Sequence, residues 1–156
     1  MPIGAAGFIV TTAQLAKLGE LAAADKVDGF WELLHQEARR IEPEFPHTGY
    51  VLAVLIEYLE EQDIHVVSAG PGPDAERISE AALGMEFCIT RAEAGELVGL
   101  LGGLHPAEGE FLNFYEEFAE EPLARAGAAM LDGLEYLKRA CGFLATDDER
   151  LLLFVG

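Results

Sequence analysis

The sequence predicts an α+β fold in which helices predominate and a small, largely antiparallel sheet includes the first and last strands. Short runs of β-branched or alternating residues lie near both ends of the chain and in its middle, and longer segments with apolar residues at helical spacing separate them. The chain has 156 residues, of which 51% are hydrophobic and 24% charged, a composition typical of a globular protein. We therefore expect residues 1–156 to form one domain.

The predicted strands are short and rich in β-branched or aromatic residues. The clearest examples are the segments GFIVT near the start and LLLFV at the end of the chain. The segment EFCIT in the middle alternates in polarity. In chain order, the predicted strands are Gly7–Thr11, Ile64–Val67, Glu86–Thr90 and Leu151–Val155.

The predicted helices follow from capping signals and apolar periodicity. Thr11 with Gln14, and Thr90 with Glu93, form capping boxes in which a threonine is followed three residues later by a glutamine or glutamate. The third helix is apolar on nearly every side and is expected at the centre of the domain. The predicted helices are Thr11–Ala23, Val27–Ile41, Thr48–Glu61, Glu76–Leu83, Thr90–Leu101, a helix that carries Phe111–Phe118, and Pro122–Leu144.

Acidic residues are concentrated in two stretches that contain no lysine or arginine. Residues 41–76 and 92–124 each contain eight acids, and together these 16 account for most of the formal net charge of −18. A field of this sign repels nucleic acid and anionic membranes, and it attracts basic proteins. The N-terminus lacks the features of a secretory signal, and the longest apolar run is too short to cross a bilayer, so we expect a cytoplasmic protein without membrane association.

An aromatic stripe is the sharpest local feature of the sequence. Phe111, Phe114, Tyr115 and Phe118 recur at helical spacing, beside a row of glutamates. Such a stripe is either the core side of a helix with a solvated acidic back, or a docking surface with aromatic anchors and an acidic rim. In the second interpretation the partner-binding residues are Glu110, Phe111, Phe114, Glu117, Phe118 and Glu121.

The function predicted from these features is a non-enzymatic protein-binding module that recognises a basic partner. One concrete form is an immunity-type inhibitor that covers the basic active site of a toxin. The oligomeric state stays open, because the aromatic helix can also bury its face against a second copy, although the acids beside it oppose that arrangement.

The alternative is a small enzyme or ligand-binding domain with a site near the junction of the second and third helices. Its candidate catalytic residues are His35, His47 and Tyr50, with Trp31 beside them. A neighbouring carboxylate, such as Glu32 or Glu44, would tune a histidine there.

We expect neither a metal nor a cofactor. The four histidines lack the spacing of a helical metal site, the two cysteines form no CxxC motif, and no glycine-rich loop matches a nucleotide-binding pattern. Cys88 and Cys141 are expected to be small core residues rather than reactive thiols.

The order of several short segments resembles the YfbM-like proteins, a family of unknown function. The segments that carry the resemblance are the first strand Gly7–Val10, the step formed by Trp31, Leu34 and His35, the capped helix start Ile89–Glu93, and the terminal strand Leu151–Gly156. The resemblance covers the chain in outline. It implies a compact α+β domain and supplies no catalytic residues, because the family has no established activity.

Overall fold

A computed structural model describes residues 4–66 and 72–155, and it confirms the predicted α+β fold. Within these residues there are seven helices and a four-stranded sheet. The helices are α1 (Thr12–Ala23), α2 (Val27–Glu37), α3 (Gly49–Glu61), α4 (Gly72–Glu80), α5 (Arg91–Gly102), α6 (Glu108–Phe118) and α7 (Ala126–Gly142). The strands are β1 (Ala5–Thr11), β2 (Arg39–Arg40), β3 (Met85–Thr90) and β4 (Glu149–Val155).

The sheet has the strand order β2-β1-β4-β3, and every neighbouring pair is antiparallel. The first and last strands pair along their whole length, from Ala5 opposite Val155 to Thr11 opposite Glu149. The prediction that these two strands share the sheet is therefore confirmed. Their pairing ties the two ends of the described chain together at the centre of the sheet.

Helices cover both faces of the sheet. Successive side chains of each strand point to opposite faces, and the apolar side chains of each face belong to a separate hydrophobic cluster. Phe8 and Leu152 belong to the cluster that includes residues of α1, α2 and α4. Ile9 and Leu151, next to them in sequence, belong to the larger cluster with residues of α3, α5, α6 and α7. The apolar third helix lies in this larger cluster, as its composition predicts.

Both predicted capping boxes are present. The Thr11 hydroxyl accepts a hydrogen bond from the Gln14 backbone N–H, and the Gln14 side chain accepts one from the Thr11 N–H. Thr90 and Glu93 form the same reciprocal pair at the start of α5. Each box ends a strand of the sheet and begins the helix that follows it.

Two boundaries near the sheet differ from the prediction. The second helix ends at Glu37 rather than Ile41, because Ala38 is extended and the chain continues into β2 beside β1. The backbone N–H of Ile41 then donates a 2.9 Å hydrogen bond to the Gly7 carbonyl. The predicted strand at Ile64–Val67 is wrong for residues 64–66, which are not in a strand, and Val67 lies outside the described residues.

Two helix starts also differ. The long seventh helix begins at Ala126 rather than Pro122, because Arg125 has a left-handed backbone with φ of 58°, which interrupts helical geometry. The short fourth helix spans Gly72–Glu80 instead of 76–83, and Ala82, also left-handed with φ of 54°, lies in the turn after it. Within residues 4–66 and 72–155, no helix has the length and apolarity needed to cross a membrane.

Candidate acid–aromatic surface

The aromatic helix α6 lies against α7 through one side only. Phe111 and Tyr115 are buried in the larger cluster, whereas Phe114 is partly buried and Phe118 is 46% exposed. Glu108 and Glu110 occupy the first turn of α6, where negative charge interacts favourably with the helix dipole. The stripe is therefore divided between core and surface, and neither interpretation of it holds for all four aromatic residues.

Helix α3 fixes the position of α6 through Tyr58. The Tyr58 ring meets Phe111 edge-on at 4.8 Å between centroids and Phe114 at 5.3 Å. Its hydroxyl donates a hydrogen bond to the Glu110 carboxylate. Burial, this hydrogen bond and the negative charge of Glu110 together raise the pKa of Tyr58 to about 12. Tyr58 is thus a neutral donor that anchors the amino-terminal half of α6.

The exposed end of α6 carries a stacked aromatic pair. The rings of Phe114 and Phe118 are nearly parallel, with an interplanar angle of 9° and centroids 5.6 Å apart. The Tyr58 ring contacts Phe114 on the side that faces the core, whereas Phe118 is exposed to solvent. A large apolar surface held in a fixed orientation has the character of an anchor at a protein interface.

Glutamates without an ion pair in the described structure lie close together in sequence at the carboxyl end of α6, where Phe118 also lies. Within the described residues, Glu116, Glu117, Glu120 and Glu121 form no ion pair. The last turn of α6 contains no basic residue, so these acids gather where the helix dipole is already negative. We define the acid–aromatic face as Glu110, Phe114, Glu117, Phe118 and Glu121.

A cleft of about 250 Å³ lies between the start of α3 and the segment that follows α6. The Tyr50 and Tyr115 rings meet at 83° with centroids 6.3 Å apart. The backbone N–H of Glu120 donates a 3.4 Å hydrogen bond to the Tyr50 hydroxyl, which ties the segment after α6 to α3. We call this space the α6 cleft; its lining includes Tyr50, Tyr115, Glu120, Glu121, Pro122 and Leu123.

The α6 cleft is negative as well as aromatic. Burial raises the pKa of the Tyr115 hydroxyl, and the neighbouring Tyr50 and Glu121 raise it further. Adjoining space of about 290 Å³ shares Tyr115, Glu120 and Glu121 and adds Glu116. Glu121 lines the cleft and lies three residues after Phe118 in the chain, so the cleft and the acid–aromatic face both lie at the carboxyl end of α6.

Two of the six predicted partner-binding residues have other roles in the structure. Phe111 is 0% exposed, so it is a core residue and cannot contact a partner in this conformation. The Glu110 carboxylate accepts a hydrogen bond from the Tyr58 hydroxyl. Glu110 therefore adds negative charge to the rim, but its carboxylate already has a partner within the protein. The predicted partner-binding residues that are at least partly exposed and have no such role in the described structure are therefore Phe114, Glu117, Phe118 and Glu121.

The alternative site is divided by the sheet. Trp31 and His35 stack with ring centroids 6.3 Å apart, and His35 also meets the Phe8 ring, on the face covered by α2. His47 meets the Phe45 ring on the opposite face, where Tyr50 also packs. The expectation that these candidate residues cluster is wrong, because the junction of the second and third helices crosses the edge of the sheet.

The carboxylates expected to tune a histidine also have other partners. Glu32 accepts a hydrogen bond from Gln36, and Glu44 forms an ion pair with Arg40 at 3.2 Å. His47 instead contacts Asp132 of α7, with 2.7 Å between Nε2 and Oδ2. Local spacing gives no signal for this contact, because the two residues are distant in sequence.

Both cysteines are core residues with free thiols. Cys88 and Cys141 are buried, as predicted for core residues, and burial raises the pKa of each thiol to about 11. Across residues 4–66 and 72–155, no group of three or more histidine, cysteine, aspartate or glutamate side chains is placed to hold a metal ion.

Sequence reasoning missed the residues that support and extend the surface. Tyr58 and Tyr115 belong to the apolar sides of their helices, and nothing in their spacing marks them as parts of a site. A row of acids at the carboxyl end of a helix was the available signal for Glu116 and Glu120, because acids are unfavourable at that end.

Comparison with protein-family models, with curated proteins and with solved structures gives no match for this chain. The resemblance to the YfbM-like proteins therefore stays a prediction, and the functional argument rests on the geometry of the acid–aromatic face and the α6 cleft.

Proposed function

We propose that this chain is a non-enzymatic binding module that docks a basic protein on its acid–aromatic face. The observation that carries the proposal is the open stack of Phe114 and Phe118 among glutamates that lack cationic partners in the described structure. Apolar anchors within a charged rim are the arrangement found at specific interfaces.

Electrostatics supports a basic partner in particular. Glu116 and Glu117 lie in the last turn of α6, where the carboxyl end of the helix repels them, and Glu120 and Glu121 follow directly. A cationic surface placed here would relieve this repulsion and would gain from the net charge of −18. Long-range attraction of this kind speeds association and weakens as salt increases.

An inhibitor that covers the basic active site of another protein is one concrete form of this function. Such an inhibitor needs a preformed surface of opposite charge rather than a catalytic group. The support that Tyr58 gives to Phe114 is consistent with a preformed surface, because it holds the ring in place without a partner.

The experiment that tests the proposal is affinity capture from extracts of the producing cell with a matched pair of variants. Glu117→Lys combined with Phe118→Ser removes one anchor and reverses one charge on the face. Glu96→Lys combined with Leu100→Ser makes the same charge change on α5 and removes a side chain that is 53% exposed.

The proposal predicts a basic protein that is captured at low salt by the wild type and the α5 variant, and is lost with the α6 variant or at high salt. Equal capture by both variants would place the contact elsewhere on the molecule. Recovery of no basic protein at either salt concentration would count against the proposed function itself.

A further inference from the structure

The α6 cleft offers a recognition site of a different kind from the open face beside it. Its walls combine the partly exposed Tyr50 ring, which packs on the buried Tyr115, with the apolar side chains of Pro122 and Leu123. At about 250 Å³ it is too small for a folded segment of another protein and large enough for one long side chain. The shape therefore favours insertion of a single residue from a partner.

The charge of the cleft selects the chemistry of that residue. Glu120 and Glu121 line the cleft, and Glu116 lines the adjoining space. Arg125, the nearest base in sequence, forms no ion pair within the described residues. The amino end of α3, with a positive partial charge, and the carboxyl end of α6, with a negative one, both lie beside the cleft. These two partial charges offset each other, so the glutamates determine the sign of the electrostatic field.

A guanidinium group matches both properties of the cleft. It is planar and stacks on tyrosine faces, and it donates hydrogen bonds in a fork that fits carboxylates. A lysine ammonium is a more strongly hydrated point charge and gains less from an aromatic wall. A quaternary ammonium would use the rings but has no N–H to donate to the glutamates.

We propose that the α6 cleft receives one arginine side chain of the basic partner, with its guanidinium against the Tyr50 ring and within reach of the carboxylates of Glu120 and Glu121. The inference rests on the proposed function for the source of the arginine, and it deepens that function by naming the group recognised. Glu121 lines the cleft and lies three residues after Phe118 in the chain, so the arginine would come from a part of the partner near the segment that docks on the acid–aromatic face.

The test uses a small probe, so that it does not depend on the identity of the partner. N-acetyl-arginine amide is titrated into the protein carrying ¹³C-labelled tyrosine, and N-acetyl-citrulline amide serves as the neutral isostere. We expect saturable shifts of the Tyr50 and Tyr115 ring signals in the millimolar range for the arginine probe. Tyr136, which is buried and hydrogen-bonded to the Gly7 backbone N–H, is the internal control and should not shift.

Two substitutions connect the binding to the cleft. Glu121→Gln keeps the size of an exposed side chain and removes its charge, and Tyr50→Leu removes an aromatic wall while keeping an apolar one. Each is expected to weaken arginine binding by about threefold to tenfold, a size typical of one exposed charge or cation–π contact. Glu96→Gln on α5 should leave binding unchanged, and thermal unfolding of each variant shows that it is folded.

Equal shifts with the citrulline probe, or equal affinity for N-acetyl-lysine amide, would overturn the assignment to a guanidinium. Tyrosine shifts that depend on protein concentration without any probe would assign the cleft to a second copy of the chain. If the arginine probe fails while a basic protein is still captured through Phe118, the cleft inference fails and the proposed function stands. If the arginine probe binds and no basic protein is captured, the cleft inference stands and the proposed function fails.

Discussion

At the scale of single residues, Tyr58 couples the core to the acid–aromatic face. Its ring packs against Phe111 and Phe114, and its hydroxyl holds Glu110 at the rim. The spacing of aromatic residues alone did not reveal this division, because helical periodicity shows which residues share a side and not how far the neighbouring helix covers them. Only the packing of α6 against α7 and α3 makes Phe111 core and leaves Phe118 exposed.

This coupling predicts an unusual titration of Tyr58. Its pKa of about 12 lies above the ordinary value of 10.0, so the folded state retains the proton more strongly than the unfolded state. The contribution of protonated Tyr58 to the free energy of unfolding is fully present below pH 10 and is lost as the pH rises through about 12. Glu110→Gln removes the charge that contributes to the shift and should lower the pKa of Tyr58. Tyrosinate absorption during a pH titration measures it, and an unchanged titration curve would contradict the role given to Glu110.

At the scale of secondary-structure elements, the sequence predicted those boundaries that local chemistry determines. The capping boxes at Thr11 and Thr90 were recognised because both partners lie within one turn. The strand Arg39–Arg40 was missed because two arginines have no strand pattern, and its pairing with β1 is a tertiary contact. Pro122 suggested a helix start that the left-handed Arg125 moves to Ala126.

The approach of α7 to α6 predicts a position where alanine cannot replace glycine. A Cβ at Gly127 would lie 2.3 Å from the backbone oxygen of Glu108, so α7 would have to move away from the start of α6. Gly127→Ala should lower the free energy of unfolding by about 1–3 kcal/mol, as other overpacked sites do. Gly95→Ala on α5, where a Cβ meets no atom within 4 Å, should instead raise it by roughly 0.5–1 kcal/mol. Urea denaturation of both variants measures the difference, and equal effects would contradict the close approach.

The acidic carboxyl end of α6 predicts that a substitution at the proposed interface stabilises the isolated protein. Glu117→Lys replaces an unfavourable charge with a favourable one near the end of the helix, and should raise the free energy of unfolding by about 0.5–1 kcal/mol at low salt. Glu96→Lys makes the same change in net charge in the middle of α5, away from a helix end. It therefore separates the effect of the helix dipole from the effect of net charge. The advantage of Glu117→Lys over this control should shrink at high salt. A loss of stability in Glu117→Lys would show that Glu117 has a structural role.

At the scale of the whole molecule, the sheet separates the residues of one predicted site, whereas those of the other share helix α6 and the segment after it. Trp31 and His35 lie on the face covered by α2, and His47 and Tyr50 lie on the opposite face. The acid–aromatic face was predictable in part because its residues are close in sequence. The α6 cleft was not, because Tyr50 and Tyr115 come from helices that only the packed fold brings together.

The distribution of charge over the molecule also distinguishes the two base-free stretches. The first surrounds the buried α3, and some of its acids have cationic or histidine partners, as Glu44 has Arg40 and Glu60 has His65. In the second, the acids at the carboxyl end of α6 have no such partners within the described residues. The first stretch also contains exposed acids without an ion pair in the described structure, at Glu42, Glu57, Glu61 and Glu76, so the second differs in that four such acids lie within six residues at the end of the aromatic helix.

Site-specific photo-crosslinking tests the central claim most directly, because it reports which surface a partner touches in the folded protein. A photoreactive phenylalanine analogue is placed at Phe118 in one sample and at Leu100 in another, since both side chains are exposed and lie on different helices. Docking on the acid–aromatic face predicts a crosslink to a basic protein from position 118 at low salt, its loss at high salt, and no such product from position 100. The same product from both positions, or a salt-independent product from position 118, would contradict it.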